Sequence, residues 1–156
     1  MRKRSAYKPK PVIGNPVAFV IGLTGRVASS SGMIDFKIKN YSAMASLMQG
    51  TATAKDMSIL IEMSNICEAM REMGIGDAYE SICTEGRYAI CKIAERKRTH
   101  GRYTPTGIEM QALRDLLELH DAQMEVATVR DLWDALKLVR KRTQSKDRIF
   151  DIGKLQ

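Results

Sequence analysis

Few residues in this chain have the type and spacing to do chemistry. It holds two histidines, three cysteines and several closely spaced carboxylates. His120 stands beside Asp121 in "LELHDAQ", an acid–base or metal-binding pair in outline. On a helix, however, adjacent side chains point about 100° apart, so the two do not share a ligand readily. Metal motifs on helices use spacings of three or four. Glu118, Asp121 and Glu125 have that spacing, and so does an ordinary solvated helix face. His100 lies in a basic turn with Arg98, Arg102 and Tyr103, which suits a phosphate contact or a plain exposed loop.

Cys67, Cys83 and Cys91 are an odd set without CxxC spacing. They read as free thiols of a reducing compartment, buried for structural reasons. "GLTGRVASSSG" is rich in glycine and serine but lacks the Gly-Lys-Ser/Thr ending of a phosphate-binding loop. "ASSSG" is not a nucleophile elbow. No triad or dyad is coherent, so the expectation is a protein that is not an enzyme, with no cofactor and no metal.

Charge is the stronger signal. The chain of 156 residues has a net charge of +7, unevenly spread. Residues 1–10, "MRKRSAYKPK", carry Arg2, Lys3, Arg4, Lys8 and Lys10 and no acid, giving +5. Residues 92–102 carry +4, chiefly from Arg96, Lys97, Arg98 and Arg102. Residues 137–148 carry +5, with Arg140, Lys141 and Arg142 at their centre. Together the three segments hold +14, so the remainder holds −7. Local potential of this kind steers polyanions better than net charge does. Cations at helix C-termini also complement the helix dipole, which is a second reading of the latter two segments. If nucleic acid is bound, its phosphates fall to the N-terminal cations, with Tyr7 stacking on a base.

Apolar residues make up 44% and aromatic residues 6%, with ten methionines, a balance that favours helices over a β-sandwich. The expected fold is mostly α: an antiparallel helical bundle with a long C-terminal helix and an extended basic N-terminal arm. Residues 1–15 form the arm, 16–143 the helical domain and 144–156 a tail. Pro9 and Pro11 keep the arm extended. Asn15-Pro16 suits a helix start, although "VAFVIGL" after it fits a buried strand as well as a short helix. That run, Val17 to Leu23, is too short to be a signal core or to span a bilayer. No export and no membrane association is expected, and the cytoplasm is the expected location.

"TGRVASSSG" reads as a loop and "MIDFKIKN" as a short strand, because Ile34, Phe36 and Ile38 alternate with Asp35, Lys37 and Lys39. Asn40 would then cap a helix running to Gln49, with Tyr41, Met44, Leu47 and Met48 on one side, ended by Gly50. Thr53 with Asp56 resembles a capping box. Behind it Met57, Leu60, Ile61, Ser64, Cys67, Met70 and Met73 form a stripe, before Gly74 and Gly76 break the helix. The next helix runs over about 77–98, with Tyr79, Ile82, Cys83, Gly86, Ile90 and Ile93 inward. Thr106 with Glu109 is a full capping box. From there to about Arg142 nothing breaks the helix, a run of roughly 50 Å against about 30 Å for its two predecessors. It must kink or project. Its second half carries the stripe Val126, Val129, Leu132, Trp133, Leu136 and Val139. The chain's own core, the short N-terminal helix or a second copy in a homodimer would cover it.

The strings "YKPKPV", "IKN" followed by "AM", "NICEAM", "GIG" and "LELHDAQMEVATVRDL" make the chain resemble small uncharacterised basic helical proteins carried by phages and plasmids of proteobacteria. The resemblance implies a cytosolic protein of mobile elements, where gene regulation, replication control and blocking of host defence are common tasks. The leading expectation is a non-enzymatic binding protein that engages nucleic acid or a nucleoprotein complex through its basic segments. The alternatives are an inhibitor that binds a host protein target in a defence (anti-CRISPR-like) or regulatory complex, and a virion assembly protein.

Overall fold

The computed structural model describes residues 25–27 and 31–145. The arm over residues 1–15, the "VAFVIGL" segment and the C-terminal tail beyond Ser145 lie outside the described residues. The protein is mostly α. Among the described residues the helices are α1 (Ser31–Met48), α2 (Ala54–Glu72), α3 (Glu80–His100), α4 (Gly107–Val126) and α5 (Val129–Ser145). A 3-10 turn, Asp77–Tyr79, precedes α3.

Both predicted capping boxes form. Thr53 N–H donates to Asp56 Oδ2 at 2.8 Å, and Asp56 N–H donates to Thr53 Oγ1 at 3.4 Å. Thr106 N–H donates to Glu109 Oε2 at 2.7 Å, with the reciprocal bond at 3.3 Å. Each box satisfies backbone donors that a helix N-terminus otherwise leaves open.

The strand predicted over 33–40 does not exist; those residues belong to α1. The alternation of isoleucines with charges concealed a helical period. Phe36, Asn40, Ala43, Met44 and Leu47 face inward, at spacings of four, three, one and three. Ile34 and Ile38 are exposed, as are Tyr41 and Met48. Asn40 is no cap. It is buried in mid-helix, and its polarity broke the apolar pattern.

α2 is buried on two faces. Met57, Leu60, Met63 and Cys67 share one cluster with Leu47 of α1, Cys83 and Ile90 of α3, and Met110 and Leu113 of α4. Ile66, Ala69 and Met70 share a second with Val27, Met124, Ala127 and Ala135. Burying each of the Leu, Ile, Val and Met side chains contributes about 1.5–3 kcal/mol. α3 and α4 pack closely at Gly86, where a Cβ would stand 2.7 Å from Leu116 Cδ2 and 2.9 Å from Leu116 Cβ. Cys83, Ile90 and Ile93 of α3 are buried as predicted, whereas Tyr79, in the 3-10 turn before it, is exposed.

The long C-terminal helix is two helices. Ala127 is extended (φ −66°, ψ 144°), and a third capping box starts α5. Thr128 N–H donates to Asp131 Oδ2 at 2.9 Å, and Asp131 N–H donates to Thr128 Oγ1 at 3.2 Å. An antiparallel bridge holds the break open: Val27 N–H donates to Ala127 O at 3.0 Å, and Val129 N–H to Gly25 O at 2.8 Å. The backbone groups freed by the break are therefore satisfied.

Gly86→Ala tests the α3–α4 approach. Alanine gains about 1 kcal/mol of helix propensity, yet overpacking costs about 1–3 kcal/mol. Because Leu116 Cβ cannot swing aside, a net loss of about 1 kcal/mol and a thermal midpoint lower by about 2–4 °C are expected. A raised midpoint would contradict the packing.

Candidate functional site

The sequence placed cations in three runs; the fold sorts them by what they touch. Arg96 is committed to structure. Its guanidinium makes a bidentate pair with Glu109, at 2.8 and 2.6 Å, and also donates to Thr104 O. The pair ties the end of α3 to the capping box of α4, and it holds the Glu109 carboxyl below its ordinary range. Lys97 donates to Gly101 O at 2.5 Å and lies 5.4 Å from the centre of the Tyr103 ring, serving the C-terminus of α3. Arg142 pairs with Glu72 of α2. Arg98, Arg102, Arg140 and Lys141 are exposed, and their side chains make no hydrogen bond or ion pair among the described residues. Arg2, Lys3, Arg4, Tyr7, Lys8 and Lys10 lie outside those residues.

The free cations do not form one patch. Tyr103 and Met110 line one recess with Leu47, Gln49 and Gly50, just before the start of α2. Ala135 packs with Met70, and Arg142 reaches Glu72, at the end of α2. Arg98 and Arg102 therefore sit toward one end of α2 and Arg140 and Lys141 toward the other. α2 itself spans about 28 Å, at about 1.5 Å per residue.

α5 presents two faces. Ala135 is buried, and Leu132, Leu136 and Val139 pack partly buried against the second cluster, so the chain covers this part of the stripe itself, whereas Val126 and Val129 stay exposed. Trp133, expected in the same stripe, lies outside it with 60% of its surface exposed. Its helical neighbours at four, seven and eight residues on are Lys137, Arg140 and Lys141. The Lys137 ammonium is 5.9 Å from the Trp133 ring centre and 3.2 Å from Asp134 Oδ1. An exposed aromatic ring thus shares a helix face with three cations, two of them unpaired.

The residues singled out for acid–base or metal chemistry separate. His120 is fully buried against Phe36, with ring centres 5.6 Å apart, and neither ring nitrogen has a hydrogen-bond partner. Burial depresses its pKa to about 4; Asp121 opposes the shift and Lys37 adds to it. Asp121 turns the other way, accepting from Tyr41 Oη at 2.9 Å and pairing with Lys37 at 3.5 Å. Glu118 and Glu125 are exposed, and no group of three potential metal ligands occurs among the described residues. His100 is exposed beside Thr99, while Tyr103 of the same turn is buried. A recess of about 710 Å³ opens between α3 and α4, lined by Tyr88, Ala89, Ile108, Ala112, Glu85 and Asp115 among others.

Sequence reasoning missed the α5 cap, although Thr128-x-x-Asp131 repeats the Thr53-x-x-Asp56 pattern. It also missed the ion pairs of Arg96 and Arg142, whose partners lie 13 and 70 residues away. No helix among the described residues is long and apolar enough to cross a membrane. No family model, curated protein or solved structure matches the chain.

The buried histidine sets a pH dependence. The unfolded imidazole titrates near 6.5 and the folded one near 4, so between these values the unfolded chain binds more protons. This contribution to stability is complete above pH 6.5 and is lost as pH falls toward 4, by about 3 kcal/mol in all. Denaturant unfolding at stepped pH should show this slope, and His120→Leu should flatten it. A variant that keeps the parent slope would place the titration elsewhere.

Proposed function

We propose that this chain is a non-enzymatic binding protein of a phage or plasmid that engages nucleic acid in the cytoplasm. The helices act as an antiparallel bundle that displays the basic arm of residues 1–15 and the outer face of α5. The observation that carries this reading is the placement of exposed Trp133 with Lys137, Arg140 and Lys141. Bases stack on aromatic rings and phosphates pair with cations, which makes such a face suited to nucleic acid whose bases are accessible. The second pole, Arg98 and Arg102, supports an extended polyanion over a small one, since a small anion could reach only one pole.

Trp133 is the sole tryptophan, so its fluorescence reports directly on the face. Adding a single-stranded oligonucleotide at about 50 mM salt should quench it, and rising salt should reverse the quenching steeply. Arg140→Ala with Lys141→Ala should lower the slope of log affinity against log salt by about 1.4, at about 0.7 per phosphate contact on a single strand. Deleting residues 2–10 should lower it further, whereas Arg98→Ala with Arg102→Ala tests the opposite pole. Unchanged fluorescence and anisotropy in dilute salt, with single-stranded and duplex probes alike, would overturn the reading.

The recess between α3 and α4 favours a second reading, an inhibitor that binds a protein target. Ile108 at its edge is 85% exposed. An interface there would barely respond to salt, and Ile108→Asp would abolish it while the α5 substitutions would not.

A further inference from the structure

Cys67 of α2 and Cys83 of α3 are fully buried, with their sulfurs 3.7 Å apart. Nothing in their sequence spacing announced a pair. The described structure keeps both as thiols, and the third cysteine, Cys91, is half-buried elsewhere on α3. The shell around the pair is ionic on one side, where Glu68 bridges Arg71 at 3.0 Å and Arg87 at 3.4 Å. The contact between the sulfurs makes them unequal. The contact with Cys67 lowers the Cys83 pKa, whereas the same contact together with burial pushes the Cys67 thiol up.

The route to the pair is equally specific. Tyr79 at the N-cap of α3 makes no capping hydrogen bond, in contrast to Thr53 before α2 and Thr106 before α4, and the preceding 3-10 turn has no side-chain cap either. Gly74 and Gly76 lead into it at φ 91° and 83°. Residues 77–81 are exposed. An uncapped helix end with few buried contacts opens locally far more often than a core helix does. Cys83 lies in the first turn of α3, so such an opening uncovers its sulfur while α2 holds Cys67 in place.

We propose that Cys67 and Cys83 are a peroxide-sensitive dithiol, with Cys83 the attacking sulfur and Cys67 the resolving one, whose oxidation staples the start of α3 to α2. A small oxidant such as hydrogen peroxide suits a buried pair. The Cys83 thiolate attacks one peroxide oxygen; an S–O bond forms, the O–O bond breaks, and the departing hydroxide takes up the proton released by Cys83. The Cys67 sulfur then attacks the sulfenic sulfur of Cys83. The S–S bond forms, the S–O bond breaks, and hydroxide leaves with the Cys67 proton. Two thiols and one peroxide thus give one disulfide and two waters. The sulfurs must close by about 1.7 Å to reach the roughly 2.05 Å of a disulfide, which the uncapped end of α3 accommodates. Thiol reductants reverse the step by exchange.

The test uses the full chain, folded and reduced, treated with graded hydrogen peroxide, then unfolded and alkylated for peptide mass mapping. The expected product joins the Cys67 and Cys83 peptides, lighter by two hydrogens, and dithiothreitol restores both thiols. Amide exchange should slow over residues 80–83 after oxidation. In Cys67→Ala a dimedone-type probe should label Cys83 as a trapped sulfenic acid, while Cys67 in Cys83→Ala stays unlabelled. Should either variant fail to fold, mapping of the parent chain decides alone. Cys67 and Cys83 both remaining alkylatable at peroxide levels that oxidise Cys91 would overturn the proposal, as would oxidation of Cys83 to a sulfinic acid without the cross-link. Equal labelling in the two variants would overturn the assignment of Cys83 as attacker.

Discussion

One helix has to satisfy two cores at once, and the rest of the structure follows from that demand. α2 touches each of the other four helices. Its Met57–Leu60–Met63–Cys67 face closes the core with α1, α3 and α4, while Ile66, Ala69 and Met70 close the second with Met124, Ala127 and Ala135. A helix that is apolar over most of its circumference must be surrounded. Four partners of ordinary length surround it only if the chain turns back often. An unbroken helix of about 50 Å from Gly107 onward would carry Ala135 and Leu136 away from Met70. The extended Ala127 and the Thr128 cap return α5 to α2 instead.

The same constraint decides which charges are free. Helices that converge on α2 bring their ends together, and ion pairs form at these junctions: Arg96 with Glu109 between α3 and α4, Arg142 with Glu72 between α5 and α2, and Lys37 with Asp121 between α1 and α4. Runs of cations in the sequence are therefore divided by the fold. In the 92–102 run, Arg96 and Lys97 serve the α3 terminus and the turn, which leaves Arg98 and Arg102. In the 137–148 run, Arg142 closes a junction and Arg140 and Lys141 face outward. For the described parts of the 92–102 and 137–148 runs, clustering along the chain overstated the size of the basic patch and understated how far apart the remaining cations are.

What was legible in the sequence was local. The Thr53–Asp56 and Thr106–Glu109 boxes, the break at Gly74–Gly76 and the inward position of Gly86 depend on neighbours within a few residues. What was illegible depended on tertiary partners. Asn40 reads as a helix start because polar residues favour caps, yet it lies buried in the middle of α1. The pairing of residues 25–27 with 127–129 spans about 100 positions and is invisible to any window. Trp133 fits the apolar stripe by hydrophobicity, but its helical angle carries it to the cationic face. Of the candidate site, the residues of α5 were named, but their division into a packed face and a displayed face came only with the fold.

That division bears on how any functional measurement should be interpreted. Leu132, Leu136 and Val139 hold α5 against the second core, so truncating them removes packing and weakens any activity indirectly. Arg140 and Lys141 are exposed and their side chains make no hydrogen bond or ion pair among the described residues, so their loss should leave unfolding almost unchanged, as for most exposed substitutions. Lys137 stands between the two cases, because its ammonium is shared by Asp134 and the Trp133 ring. A loss of binding from the outer residues at constant stability therefore reports on contact with a ligand. The same loss from the inner residues reports only that α5 has left α2.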